Sequence, residues 1–182
     1  MECDLRRPDF AERIGLAARP GLADHLAGRA SAREILQEIV VPWGATGGAP
    51  PNGRPPASGA VAEGRSPVLL PCVTAGTTLP NAAELLNSDR FKIYLSRLTR
   101  TYDLVILDTA PLLPVVDTLE IVPLVDAVLL CVRASRTTRE QAAAAKAALD
   151  RFPDRPIGLV TTGVRARDAG SQYYSYSYSY SS

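Results

Sequence analysis

Four short apolar runs punctuate the chain, at 68–73, 104–107, 127–132 and 157–161, and none alternates apolar with polar residues as a half-exposed strand would. Continuous runs of this length, bounded by polar stretches, predict strands buried on both faces, the habit of parallel sheets. Between them the period changes. Residues 81–101 predict a helix in two parts, with Leu85, Leu86, Phe91, Tyr94, Leu95 and Leu98 as its inner face. Residues 137–151 predict an Ala-rich helix. Upstream, Pro8 opens a helical pattern over 8–18 that spaces Phe10, Ile14 and Leu16 on one side. Gly21 opens a second short patch through Leu22, His25 and Leu26. Ser31 with Glu34 three residues on is a capping-box pattern, which predicts a third helix through Ile35 and Leu36. Strands interleaved with helices make the fold class α/β, a mostly parallel sheet flanked by helices.

Two segments break this rhythm. Residues 42–67 carry Gly47-Gly48, Pro50-Pro51 and Pro55-Pro56 with little that is apolar, which predicts a flexible loop. The C-terminal end alternates tyrosine and serine, and Tyr173, Tyr174, Tyr176, Tyr178 and Tyr180 are five of the chain's seven tyrosines. Residues 173–182 have no aliphatic and no charged residue and cannot build a core, so residues 165–182 are expected to form a mobile tail. Exposed phenols are phosphate acceptors, each gaining about −1.5 to −2 charges at pH 7. The alternatives are a low-complexity end without a role and a sticky repeat prone to β-pairing.

A length of 182 residues suits one domain. Twenty basic residues against nineteen acidic give a formal net charge of +1, which argues against nucleic-acid binding by bulk charge. Cys3, Cys72 and Cys131 are odd in number and far apart, so reduced thiols in a cytoplasmic setting are expected. No apolar stretch approaches the ~20 residues of a membrane helix. His25, the chain's one histidine, reads as structural.

The strongest chemical signal is Leu104-Val105-Ile106-Leu107-Asp108, followed by Thr109-Ala110-Pro111. An aliphatic strand there delivers a carboxylate at its C-terminal end, where ligands of open α/β sheets sit. Such a carboxylate can hold Mg²⁺ while the metal bridges nucleotide phosphates. The plain alternative is an aspartate that ends a strand and starts a turn. Glu2 and Asp4, two residues apart in Glu2-Cys3-Asp4-Leu5-Arg6-Arg7-Pro8, share a face if the chain is extended. They offer a paired acidic edge, or simply a solvated N-terminal stretch.

Together these pieces resemble the bacterial protein-tyrosine autokinases of capsule and exopolysaccharide biosynthesis. Residues 2–8 look like that family's Walker A′ motif, and residues 104–111 look like its Walker B. Gly21-Leu22, His25-Leu26-Ala27-Gly28, Leu79-Pro80-Asn81 and Glu84-Leu85-Leu86 match intervening signatures in order, and Val116-Asp117 and Val125-Asp126 fall where the family places acids. The resemblance implies a deviant-Walker P-loop fold over 1–164, ATP and Mg²⁺ as cofactors, and Asp4 and Asp108 as metal-holding residues. It implies that Glu2 and Asp4 divide metal binding and activation of the tyrosine hydroxyl, and that Thr162 stands at the position of an adenine-contacting asparagine; Arg6, beside them in sequence, could reach phosphate or pair with Asp4. The tail tyrosines would be autophosphorylation sites, presented to a neighbour in a homo-oligomeric ring. A membrane adaptor of polysaccharide export, or a missing N-terminal region, would hold the ring at the inner face of the cell membrane.

The chain departs from the pattern at one decisive place. The phosphate loop needs a Gly-Lys-Ser/Thr ending, and Lys92 and Lys146, the only lysines, follow no glycine. The expectation is a kinase domain without its first strand and loop, either a truncated sequence or a pseudokinase, that is poorly stable and inactive alone. Competing readings are a partition- or division-type ATPase and a non-catalytic phosphoacceptor of a complete kinase.

Overall fold

A computed structural model describes residues 1–41, 68–114 and 117–164. The chain divides into two compact units, Met1–Ala110 and Pro111–Ser182. The loop expected over 42–67 and the tail with its five tyrosines lie outside the described residues.

The first unit is organised around the extended residues 1–3, which are hydrogen-bonded on both sides. Met1 N donates to Ile106 O at 2.8 Å, Asp108 N to Met1 O at 2.9 Å and Cys3 N to Asp108 O at 2.6 Å. These bonds make a parallel bridge between Glu2 and Asp108. On the other side Glu2 N donates to Val73 O at 2.9 Å. The strand expected at 104–107 is therefore corrected to a single bridge at its end. Beyond that bridge no described backbone pairs with residues 104–107 as a strand, and Leu104 and Ile106 are 75% and 70% exposed.

Helix α1, Phe10–Ile14, is shorter than the expected 8–18 because Gly15 stops it. Gly15 is left-handed, φ 72°, and the N–H groups of Gly15 and Leu16 both donate to Ala11 O, a glycine C-terminal cap. Helix α2 spans Leu22–Leu26. The third expected helix does not form. Ser31 and Glu34 make both capping bonds, Ser31 N to Glu34 Oε2 at 2.7 Å and Glu34 N to Ser31 Oγ at 3.3 Å, but the chain makes only a turn there. The β-branched run Ile39-Val40-Val41 then enters strand β1, Gln37–Val41. It pairs antiparallel with β2, Val68–Cys72, from Gln37↔Cys72 to Val41↔Val68.

The two-part helix is present as α3, Ala82–Asn87, and α4, Asp89–Thr101. Ser88 divides them, its Oγ accepting from Phe91 N at 3.2 Å to cap α4. Leu86, Phe91, Tyr94 and Leu95 are buried as expected, while Leu85 and Leu98 are only half-buried. With Leu5, Leu22 and Ile35 they form the core of this unit.

The second unit contains α5, Asp117–Ile121, a 3-10 turn at Val122–Leu124, β3, Val128–Arg133, α6, Arg139–Leu149, and β4, Ile157–Thr162. Strands β3 and β4 run parallel, from Val128↔Ile157 to Arg133↔Thr162, with α6 as the crossover between them. Thr138 and Gln141 cap α6 reciprocally, at 3.2 and 3.0 Å. The α/β class holds. The expected mostly parallel sheet is replaced, among the described residues, by one antiparallel pair and one parallel pair. No described helix is long and apolar enough to cross a membrane.

Candidate functional site

The bridge between Glu2 and Asp108 brings two of the sequence-predicted acids side by side, since paired residues of a ladder share a face. Their environments differ. Glu2 is 2% exposed, and both of its carboxylate oxygens are occupied by backbone donors. Oε1 accepts Asp9 N at 2.8 Å and Phe10 N at 2.9 Å, closing the start of α1, and Oε2 accepts Ala75 N at 2.9 Å. One carboxylate thus ties residues 1–3, the first turn of α1 and the loop after β2 together. Such a buried acid is tolerable because each oxygen is matched to N–H groups that would otherwise lack partners.

Asp108 has the opposite situation. Its side chain is exposed, and its carboxyl is raised above the ordinary value by partial burial first and then by the negative charge of Glu2. Asp9 and Asp4 add to the repulsion, and the amino group of Met1 opposes it. Asp4 is half-buried, and its Oδ1 accepts Arg6 N at 3.1 Å and Arg7 N at 3.0 Å, a turn that fixes the carboxylate beside the bridge. The result is a negative edge of hard oxygen donors.

That donor set fits a divalent cation of the Mg²⁺ type, which takes one or two carboxylates and completes its shell with water and phosphate oxygens. Among the described residues no group of three or more His, Cys, Asp or Glu side chains is placed to hold a metal ion. Arg6 is exposed next to Asp4. Thr162, in the second unit, donates its hydroxyl to Val132 O at 3.4 Å. The five tail tyrosines lie outside the described residues.

Sequence reasoning missed Asp24, the carboxylate that holds the neighbouring loop. Its Oδ2 accepts Gly21 N at 3.0 Å and Thr77 N at 3.1 Å. Burial raises its carboxyl, but the hydrogen bonds from Thr77 and Gly21, with the charge of Arg19, outweigh burial and hold it below the usual value. Leu22 N and Ala23 N donate to Thr74 O and Ala75 O, each at 2.8 Å. Gly76, at φ +86°, packs against Gly21 so closely that a Cβ on it would lie 2.5 Å from Asp24 Oδ2. The signal was present as Gly21 followed three residues later by Asp24, a helix-start spacing. Cys3, fully buried beside Glu2, has its thiol pushed up to about 12 chiefly by burial, so it is not a nucleophile here.

No protein-family model matches the chain. Among curated proteins it is 35% identical over 94 residues to the tyrosine-protein kinase YwqD of Bacillus subtilis, covering 52% of this chain and 40% of that protein. It is 26% identical over 184 residues to the tyrosine-protein kinase wzc of Salmonella typhi, covering 98% of this chain and 22% of that protein. The chain therefore spans less than half the length of these relatives. Among solved structures, the kinase domain of Escherichia coli tyrosine kinase ETK matches with a TM-score of 0.70 at 28% identity, over 97% of this chain and 58% of that one. The VpsO kinase domain matches with a TM-score of 0.68 at 25% identity, over 90% and 68%. In sequence along almost its whole length, and in fold, this chain is similar to the kinase domains of bacterial tyrosine-protein kinases.

Proposed function

We propose that this chain carries part of the catalytic apparatus of an ATP-dependent tyrosine kinase acting in capsule or exopolysaccharide assembly, with its own C-terminal tyrosines as acceptors. The observation that supports this most is the carboxylate of Asp108 at the end of the parallel bridge, raised first by partial burial and then by the negative charges of Glu2, Asp9 and Asp4. A site where like charges crowd an exposed oxygen is improved by a bound cation. Asp108 and Asp4 would hold Mg²⁺, which supplies charge neutralisation on the phosphates of ATP during in-line transfer. Asp4, in contrast with Glu2, is half-exposed, which favours it for accepting the proton of an incoming tyrosine hydroxyl. Glu2 would act by keeping Asp4 and Asp108 in register. Arg6 would meet phosphate, and Thr162 would stand in the adenine-contacting position. Assembly as a ring through neighbour tails, and anchoring to the inner face of the membrane through an adaptor, belong to the same reading.

The 182 residues contain no Gly-Lys pair, so we infer that this chain binds ATP weakly by itself and is phosphorylated by a complete kinase. The same observation favours the second reading, a phosphoacceptor without catalysis of its own. Radiolabelled ATP with Mg²⁺, added to the chain alone and with an intact related kinase, tests this. Label on Tyr173, Tyr174, Tyr176, Tyr178 or Tyr180 is expected only in the second mixture. Label without the added kinase would overturn the inferred inactivity, and no label in either mixture would overturn the acceptor role.

A further inference from the structure

Helices α2 and α4 of the first unit frame a cleft of about 290 Å³ lined by His25, Arg90, Ile93, Tyr94 and Arg97. Nothing in the proposed kinase chemistry uses it. Arg90 and Arg97 are seven residues apart on α4, two turns, so their side chains rise from one face. Both are exposed, and neither makes an ion pair among the described residues. Among the described residues no acidic side chain lines the cleft. Gly28, at φ +80°, leaves room for the Arg90 head group: a Cβ there would lie 3.1 Å from Arg90 Nη1. A guanidinium is thus seated over the turn that ends α2.

The wall beside these cations is made by the rings of His25 and Tyr94 and by the aliphatic side chain of Ile93. The rings of His25 and Tyr94 lie 4.8 Å apart at 55°, and Ile93 is 54% exposed beside them. His25 Nδ1 lies 2.9 Å from Ala30 O, an oxygen that can only accept, so Nδ1 carries the proton and the ring is held in one orientation. Burial pushes the Tyr94 phenol up to about 12, which keeps it uncharged. Two guanidinium groups without an ion pair among the described residues, next to an aromatic and aliphatic wall, match a doubly charged phosphate carried on a ring.

We propose that this cleft is a binding site for an aryl phosphate, the side chain of a phosphorylated tyrosine. The inference concerns the first unit alone and requires no catalysis by the chain.

Calorimetric titration of the full chain at low ionic strength tests it, using phenyl phosphate, inorganic phosphate and peptides of residues 171–182 with Tyr176 phosphorylated or not. Phenyl phosphate is expected to bind about tenfold tighter than inorganic phosphate, because only the former covers the apolar wall. Arg90→Ala and Arg97→Ala should each weaken it about tenfold, as loss of a charge-assisted contact does. Their thermal midpoints should stay at the wild-type value, since both side chains are exposed. The phosphorylated peptide should displace phenyl phosphate, and the unphosphorylated one should not. Equal affinity for inorganic and phenyl phosphate, indifference to both arginine substitutions, or failure of the phosphopeptide to compete would each overturn the assignment.

Discussion

The two units solve the problem of fixing backbone with different means. In Met1–Ala110, buried carboxylates bind loops: Glu2 takes three amides from two segments, and Asp24 takes two more. Around them Leu5, Leu22, Ile35, Leu86 and Phe91 are sealed from solvent. In the second unit order comes from a regular strand–helix–strand crossover with ladder bonds along six residue pairs. Its strands keep much apolar surface in water, with Leu129 and Leu159 71% and 66% exposed. The first unit should therefore fail when one polar group is lost, and the second should yield more gradually to loss of packing. Polar anchors concentrate stability in a few atoms; ladders spread it.

Glu2→Ala is the hardest test of that contrast and carries the largest expected effect. It strands the amides of Asp9, Phe10 and Ala75, and each unsatisfied buried donor costs about 1–3 kcal/mol. A loss of about 3 kcal/mol or more is expected, a large share of the roughly 5–15 kcal/mol of a whole domain. Denaturant unfolding gives the size, and amide exchange gives the place. Faster exchange should centre on Phe10 and Ala75, and a loss spread evenly over both units would break the comparison.

Leu149→Ala probes the second unit, where Leu149 on α6 is 1% exposed. Leu→Ala in cores costs about 2–5 kcal/mol, less where the surroundings can collapse. A partly uncovered strand pair can relax, so about 2 kcal/mol is expected. A loss above that of Glu2→Ala in the same denaturation assay would reverse the ranking.

The same contrast explains what could be read from sequence. Helices α3, α4 and α6 and strands β3 and β4 were legible because their signals are local: a run, a period, a capping box. The helix after Ser31 failed although its capping bonds form, because one satisfied turn does not outweigh the strand-favouring residues that follow. The strand before Asp108 failed because a strand exists only where another backbone meets it, and residues 1–3 reach only its end. Asp4 and Asp108 were legible as acids flanking ordered backbone. That Glu2 would be consumed by amides from Asp9, Phe10 and Ala75 was not, since Ala75 is brought to it only by the fold.

The smallest effect separates Asp108 from the carboxylates that anchor. Asp108 is raised in the fold, so its ionisation opposes folding: below the ordinary carboxylate range the penalty is absent, and stability falls as pH rises through that range and past the raised value. Asp24, held low, runs the other way, contributing stability at neutral pH that disappears as pH drops through its lowered value. Asp108→Asn should therefore raise the thermal midpoint at pH 7 by a degree or two at most, about what an exposed charge is worth, and leave it unchanged near pH ~3. Millimolar Mg²⁺ should raise the wild-type midpoint at pH 7 and not that of Asp108→Asn, because the cation relieves the same repulsion. A lower midpoint for Asp108→Asn at pH 7 would mean that Asp108 is held by attraction, and would place it among the anchors with Glu2 and Asp24.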